Sequence, residues 1–306
     1  MADSRPLGVF DSGIGGLTVL REIFRRLPAE STLYIGDNAR APYGVRPDDE
    51  VRAFSRQALD VLASSNVKAI VVACNTVSAV ALGEHRQRYD VPILGVIRPG
   101  AIAAALATRS RRVGVIATPA TVRSHAYFAA IKDENPAIEV YEHATPALVP
   151  LVEAGVLRGP VAEQTVADAL APLLGSRDAD GEFIFPLPPS ARVDALLLGC
   201  THYPLLLPVI QAIAGDSVAI VDSATATASA LAELLSINGL EAPGTARGSA
   251  ADPNEPGDSA PTETIGAASH RLMTTGNAAA FGALAELLFG ERVADVETLD
   301  LGVAAP

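Results

Sequence analysis

Val67-Lys-Ala-Ile-Val-Val-Ala-Cys74-Asn-Thr76 aligns without a gap to Val193-Asp-Ala-Leu-Leu-Leu-Gly-Cys200-Thr-His202. In each stretch an apolar run of strand length ends in a cysteine and two polar residues. Runs apolar at successive positions fit strands buried on both faces of a parallel sheet. The match continues outward. Asp90-Val-Pro-Ile-Leu-Gly-Val96 begins sixteen residues after Cys74, and Asp216-Ser-Val-Ala-Ile-Val-Asp222 begins sixteen after Cys200. Upstream, Leu7-Gly-Val-Phe-Asp-Ser12 corresponds to Val113-Gly-Val-Ile-Ala-Thr118. From Gly8 to Cys74 is 66 residues and from Gly114 to Cys200 is 86, so the second half carries 20 extra. The chain is an internal repeat.

Around this repeat, strand and helix alternate. Leu7 to Phe10 is apolar, Asp11-Ser-Gly-Ile-Gly-Gly16 is a glycine-rich turn, and Leu17, Leu20, Ile23, Phe24 and Leu27 keep helical spacing before the strand Thr32 to Ile35. A helix is predicted after Pro47-Asp-Asp49, with Val51, Phe54, Ala58, Val61 and Leu62 on one face. The predicted class is α/β: two pseudo-symmetric parallel-sheet domains, each an αβα sandwich, with the active site in the cleft between them. Residues 1–97 and 211–306 are assigned to the first domain and 98–210 to the second. Residues 175–192 and 241–264 read as loop insertions; the latter contain no Val, Leu, Ile or aromatic residue. A strand over 271–275, a helix over 277–289 and a short strand over 293–299 are expected to complete the first domain.

Composition excludes several function classes. The 306 residues hold 23 Lys plus Arg against 35 Asp plus Glu, a net charge of −12, so no nucleic-acid partner is expected. Apolar residues make up 49% and charged residues 19%, which excludes a disordered chain. No leader pattern opens the sequence and no run of about 18 apolar residues occurs, so a cytoplasmic protein without a membrane partner is expected. Two cysteines are too few for a secreted disulfide framework, and reduced thiols are the default. Five histidines without ligand spacing point to no metal.

Ligands of open α/β sheets bind beyond the carboxyl ends of the strands, where both cysteines are placed. A lone cysteine is ordinarily a small buried hydrophobe. Two at the same turn of a repeat, each beside polar neighbours, are candidates for chemistry. Acid/base groups on opposite faces of one carbon suit inversion of a stereocentre, since one removes the proton and the other returns it from the far side. Thiols do this only when tuned, by a helix N-terminus or a nearby charge, and the same helix termini are expected to hold an anionic carboxylate. The glycine turn is not a dinucleotide site: the third glycine position is Thr18, and Asp11 repels a pyrophosphate. Asp11 is either a helix cap or a site group, and its place at the end of the first strand favours the site. His202, two residues after a candidate thiol, is a second candidate. Glu153 alone reads as a surface acid. Lys68 precedes the first cysteine strand and Lys132 lies in a polar run, so neither is placed for a Schiff base.

Asp11-Ser-Gly-Ile-Gly-Gly16, Gly36-Asp37, Ala41-Pro-Tyr-Gly44, Ala73-Cys-Asn-Thr76, Leu151-Val-Glu-Ala-Gly155 and Gly199-Cys-Thr-His-Tyr-Pro204, in this order, resemble the glutamate racemases of the aspartate/glutamate racemase superfamily. The resemblance spans about residues 5 to 300. It implies a cofactor-independent isomerase that interconverts L- and D-glutamate and supplies D-glutamate for bacterial peptidoglycan, hence cell-wall biogenesis and cell shape. It makes Cys74 the acid/base acting on D-glutamate and Cys200 its partner on L-glutamate. Asp11 would support Cys74; His202 with Glu153 would support Cys200. The implied substrate shell is Asp11, Ser12, Tyr43, Gly44, Asn75, Thr76, Thr201 and His202, with Asp37 a further acid behind it. Members are usually homodimers. The match departs at Val45-Arg-Pro47, where the family often has Ser. Ten residues precede Asp11, so no activator-binding N-terminal extension of the kind some members carry is expected. The rival activities are racemisation of aspartate or another acidic substrate, and ligand binding by two lobes whose cysteines are structural.

Overall fold

A computed structural model describes residues 2–177, 183–184, 192–244, 268–290 and 294–302. The expected insertions at 175–192 and 241–264 therefore fall largely outside the described residues.

The chain begins β1 (Leu7–Asp11), α1 (Leu17–Arg26), β2 (Thr32–Gly36), α2 (Asp48–Ser64), β3 (Ala69–Val72), α3 (Asn75–Val80), α4 (Leu82–Arg88), β4 (Ile93–Gly95) and α5 (Ile97–Ala107). Two 3-10 turns, Asn38–Arg40 and Tyr43–Val45, separate β2 from α2. The second half runs β5 (Arg112–Ala117), α6 (Pro119–Ser124), α7 (Ala126–Glu134), β6 (Glu139–Ala144), α8 (Leu148–Glu153) and α9 (Pro160–Leu174). A two-stranded antiparallel pair follows, β7 (Ser176–Arg177) and β8 (Phe183–Ile184), then β9 (Ala195–Gly199), α10 (Leu207–Ala214) and β10 (Ala219–Asp222). The chain ends with α11 (Ser223–Asn238), β11 (His270–Thr274), α12 (Ala278–Phe289) and β12 (Val296–Thr298).

Two parallel sheets result, ordered β12-β11-β2-β1-β3-β4 and β10-β9-β5-β6. β1, β2, β3 and β9 are buried at every position, which explains their predominantly apolar sequences. The first sheet is covered by α1, α11 and α12 on one face and by α2 with α3 on the other. The second is covered by α8, α9 and α10 on one face and by α5 with α7 on the other. α11 packs on both α1 and α5, joining the halves. The α/β class with two parallel sheets is as expected from sequence.

The register makes the repeat explicit. Leu7 pairs with Ala69 as Val113 pairs with Ala195, so Cys74 and Cys200 occupy the same place after equivalent strands. The fourth strands slip by one residue against the sequence alignment, since Ile70 pairs with Ile93 but Leu196 with Ile220. β10 lies in the second sheet, so the chain returns to the first after residue 222, not at the expected 210. The physical reason is the repeat itself: β10 lies beside β9 as β4 lies beside β3. At the far, amino ends of the first-sheet strands, Lys68 is fully buried in an ion pair with Glu30 at 2.5 Å. Its Nζ also donates to the Asp3 carbonyl at 2.7 Å.

Candidate active site

Beyond the carboxyl ends of the two sheets lies a cavity of about 50 Å³. It is lined by Ser12, Tyr43, Gly44, Cys74, Asn75 and Thr76 from the first half and by Glu153, Cys200, Thr201 and His202 from the second. Ten of the expected site residues thus converge. Asp11 and Asp37 are fully buried and stand one layer behind.

Cys74 lies two residues beyond the end of β3 and is the N-cap residue of α3. Its Sγ donates to Ser12 Oγ at 3.3 Å. Burial, then the Asp11 charge, pushes the thiol up to about 12, against the Ser12 hydrogen bond. At neutral pH it carries its proton. Asp11 does not bond the thiol. It accepts from the Gly13 backbone N–H at 2.9 Å and from Thr201 Oγ1 at 3.3 Å, so it ties the glycine turn to the opposite wall. Burial pushes Asp11 above the usual carboxylate range, opposed by the His202 charge and by backbone N–H groups of Gly13 and Gly16.

Around Cys200 the groups differ. His202 Nδ1 lies 3.7 Å from Cys200 Sγ, and His202 Nε2 lies 3.3 Å from Glu153 Oε1. The latter is an ion-pair distance off the line of a hydrogen bond. Burial works to lower His202, but its pairing with Cys200 and Glu153 and the Asp11 field prevail and raise it to about 10. Glu153 ends α8 at the surface, as an isolated acid would, yet its carboxylate reaches the buried imidazole.

An α-helix directly after Cys200 was expected. Instead the chain turns through Thr201 and His202 into a 3-10 segment, Tyr203–Leu206, before α10. Pro204 and Pro208 lack the N–H groups a continuous helix would use. Cys200 therefore faces the His202 side chain and not the end of an adjoining α-helix.

Asp37 holds the wall that carries Tyr43. It accepts from Arg40 Nε at 2.6 Å, Thr275 Oγ1 at 2.7 Å and the Tyr43 hydroxyl. Burial, then the Asp37 charge, pushes the Tyr43 phenol upward, so it stays a donor. Glycines fix the close approaches. A Cβ on Gly15 would run into Thr201 Oγ1 and His202 Nδ1, and one on Gly44 into Thr118.

Sequence reasoning missed Thr118 and Thr145, both of which line the cavity. Thr118 Oγ1 lies 3.0 Å from Thr76 Oγ1 and 3.0 Å from Thr121 Oγ1, a hydroxyl chain between the halves. Thr145 Oγ1 lies 2.7 Å from the Tyr203 hydroxyl. The signal was present, because Thr118 aligns with Ser12 in the repeat. The arrangement presents two thiols, one beside a hydroxyl and one beside an imidazole, to a single small ligand. Among the described residues no cluster of His, Cys, Asp or Glu is arranged to hold a metal ion, and no helix is long and apolar enough to cross a membrane.

The profile of the Asp/Glu/hydantoin racemase family matches residues 7–181. The glutamate racemase of Streptococcus agalactiae serotype III is 46% identical over 76% of this chain and 82% of its own. Among solved structures, a glutamate racemase isoform from Bacillus anthracis superposes with a TM-score of 0.80 at 36% identity, covering 98% of this chain and 99% of that one. The glutamate racemase of Francisella tularensis, solved with D-glutamate, gives 0.79 at 31% identity and 98% of each chain.

Proposed function

Since the chain belongs to the Asp/Glu/hydantoin racemase family, we propose that it interconverts L- and D-glutamate, with Cys74 and Cys200 each exchanging the Cα proton on one face. The observation that carries this reading is the pair of thiols at equivalent strand ends, lining one cavity from opposite sheets. One thiolate takes the proton as the other thiol delivers one to the opposite face, so protons balance and the thiols exchange roles after each turnover.

The groups around each thiol fit that exchange. Cys74, held as a thiol by burial and Asp11, is a proton donor at rest. Cys200 faces His202, a cation near neutrality whose Nδ1 stands 3.7 Å from its Sγ. Asn75, Thr76, Thr118 and Thr201 supply neutral donors for carboxylates. Asp11 and Asp37 act from behind, by holding Thr201 and Tyr43, rather than by touching the substrate. Lys68 is consumed by its buried ion pair with Glu30, far from the cavity, which leaves it no part in a Schiff base. The same reading extends to supply of D-glutamate for peptidoglycan in the cytoplasm, by a homodimer.

The test is incubation of either glutamate enantiomer in D2O. Deuterium should appear at Cα together with the opposite enantiomer, and aspartate should exchange far more slowly. Binding of glutamate without Cα exchange would overturn the proposal in favour of a two-lobed binding protein. Faster exchange of aspartate would reassign the substrate.

A further inference from the structure

Asn75 follows Cys74 directly and lines the cavity, yet it is buried and its Nδ2 has no hydrogen-bond partner. Its Oδ1 has one. The Tyr127 hydroxyl, from α7 of the other half, donates to it at 2.5 Å. Tyr127 is fully buried, and burial pushes its ionisation well upward, so the phenol keeps the proton it donates. The ring sits in a slot between two glycines. A Cβ on Gly199 would lie 3.0 Å from Tyr127 Cε2, and one on Gly100 would lie 3.4 Å from both Cε1 and the hydroxyl oxygen.

A primary amide has an acceptor on one prong and a donor on the other, and rotation exchanges them. In a cavity that receives a carboxylate the two orientations differ in sign: Nδ2 attracts the anion and Oδ1 repels it. A donor fixed on Oδ1 from behind selects the orientation with Nδ2 forward. We propose that Tyr127 is a positioning residue that locks the Asn75 amide with its NH2 toward the cavity, as a donor to a substrate carboxylate. The lock crosses from one half of the molecule to the other, so carboxylate recognition depends on both halves being in register. This rests on the glutamate reading above.

The experiment is a double-mutant cycle on the full chain with Tyr127→Phe, which keeps the ring in its slot, and Asn75→Ala. Tyr127→Phe should raise KM for both enantiomers by about tenfold, the scale of one hydrogen bond to a charged group, with a smaller change in kcat. In the Asn75→Ala background it should raise KM no further. Additive effects on KM, as from general damage to the α7 packing, would overturn the proposal. Asn75→Asp gives a second reading that leaves Tyr127 intact. It keeps an acceptor for the phenol and turns the forward group into an acceptor, so its KM should exceed that of Asn75→Ala; a lower KM would overturn the donor role. A wild-type chain that neither racemises nor binds glutamate would sink both readings. Normal racemisation with an additive cycle would sink only this one.

Discussion

The two halves place a thiol at the same point of the same strand, and then surround it differently. In the first half, position Asp11 at the end of β1 is a buried acid; its counterpart at the end of β5 is Ala117. Asp37 likewise corresponds to Thr145, and Ser12 to Thr118. The second half instead supplies the His202–Glu153 pair. Strand register preserves position, whereas protonation depends on neighbours that can diverge without disturbing the sheet. The proposed two-thiol exchange would profit from that divergence, because it requires one thiol to hold a proton while the other is ready to take one.

The largest effect expected is from removing either thiol. Cys74→Ala and Cys200→Ala should each lower kcat/KM by a factor of about 10² to 10⁴ in both directions. Near-normal turnover in either would remove the equivalence from which the comparison starts. Next are the unlike supports. His202→Asn and Asp11→Asn should each cost roughly 10- to 100-fold, the scale of a lost charge-assisted hydrogen bond. The loss in kcat/KM must be equal for L- and D-glutamate, because the enantiomers have equal free energies. The asymmetry belongs in the primary isotope effects, which the two variants should change in opposite directions; identical changes would mean that the supports are interchangeable.

A pH series separates the two sides further. The folded state raises His202 from an ordinary value of about 6.5 to about 10. Its contribution to stability is therefore complete below about 6.5 and declines until it is gone above about 10. The thermal midpoint gap between wild type and His202→Asn should be widest near pH 6 and close toward pH 10. A gap that widens with pH would reverse the assignment. On the other side, Cys74 at about 12 should show alkylation by iodoacetamide rising about tenfold per pH unit from 7 to 10 in a Cys200→Ala background. A plateau near pH 8 would overturn the burial of the Cys74 thiol beside Asp11 as the cause of its raised value. The smallest change expected is from Thr275→Val, which takes one of three side-chain hydrogen bonds from Asp37 and should lower activity only a few-fold, through KM.

Much of this was legible in the sequence because it is encoded locally. The cysteine strands are apolar at every position, and the repeat places their ends together without any knowledge of tertiary contacts. Asp37 was harder. Its place behind the substrate shell came from the resemblance alone, and the contacts with Arg40, Tyr43 and Thr275 that hold it there are not encoded in its own strand. Thr118 was available from the alignment with Ser12 but lacked a chemistry of its own to attract notice. Tyr127 was not available at all: nothing in the Ala126–Glu134 helix marks a phenol whose partner lies on the other sheet. The late return of the chain, after 222 and not 210, was implied by the repeat and obscured by the helix between β9 and β10.

The sheet order also sets a schedule for the ribosome. The four strands of the second sheet lie between residues 112 and 222, and each has its neighbours once that stretch has emerged. The first sheet begins earlier in the chain and finishes later, because β2 waits for β11, and Asp37 waits for Thr275 beyond it. A nascent chain released or stalled before that residue holds both cysteines and every group lining the cavity, but not the hydroxyl that completes the hydrogen bonding of Asp37. The outer neighbour of β2 and the last hydrogen bond of Asp37 are thus supplied by residues 270–275, long after the cavity lining has been made.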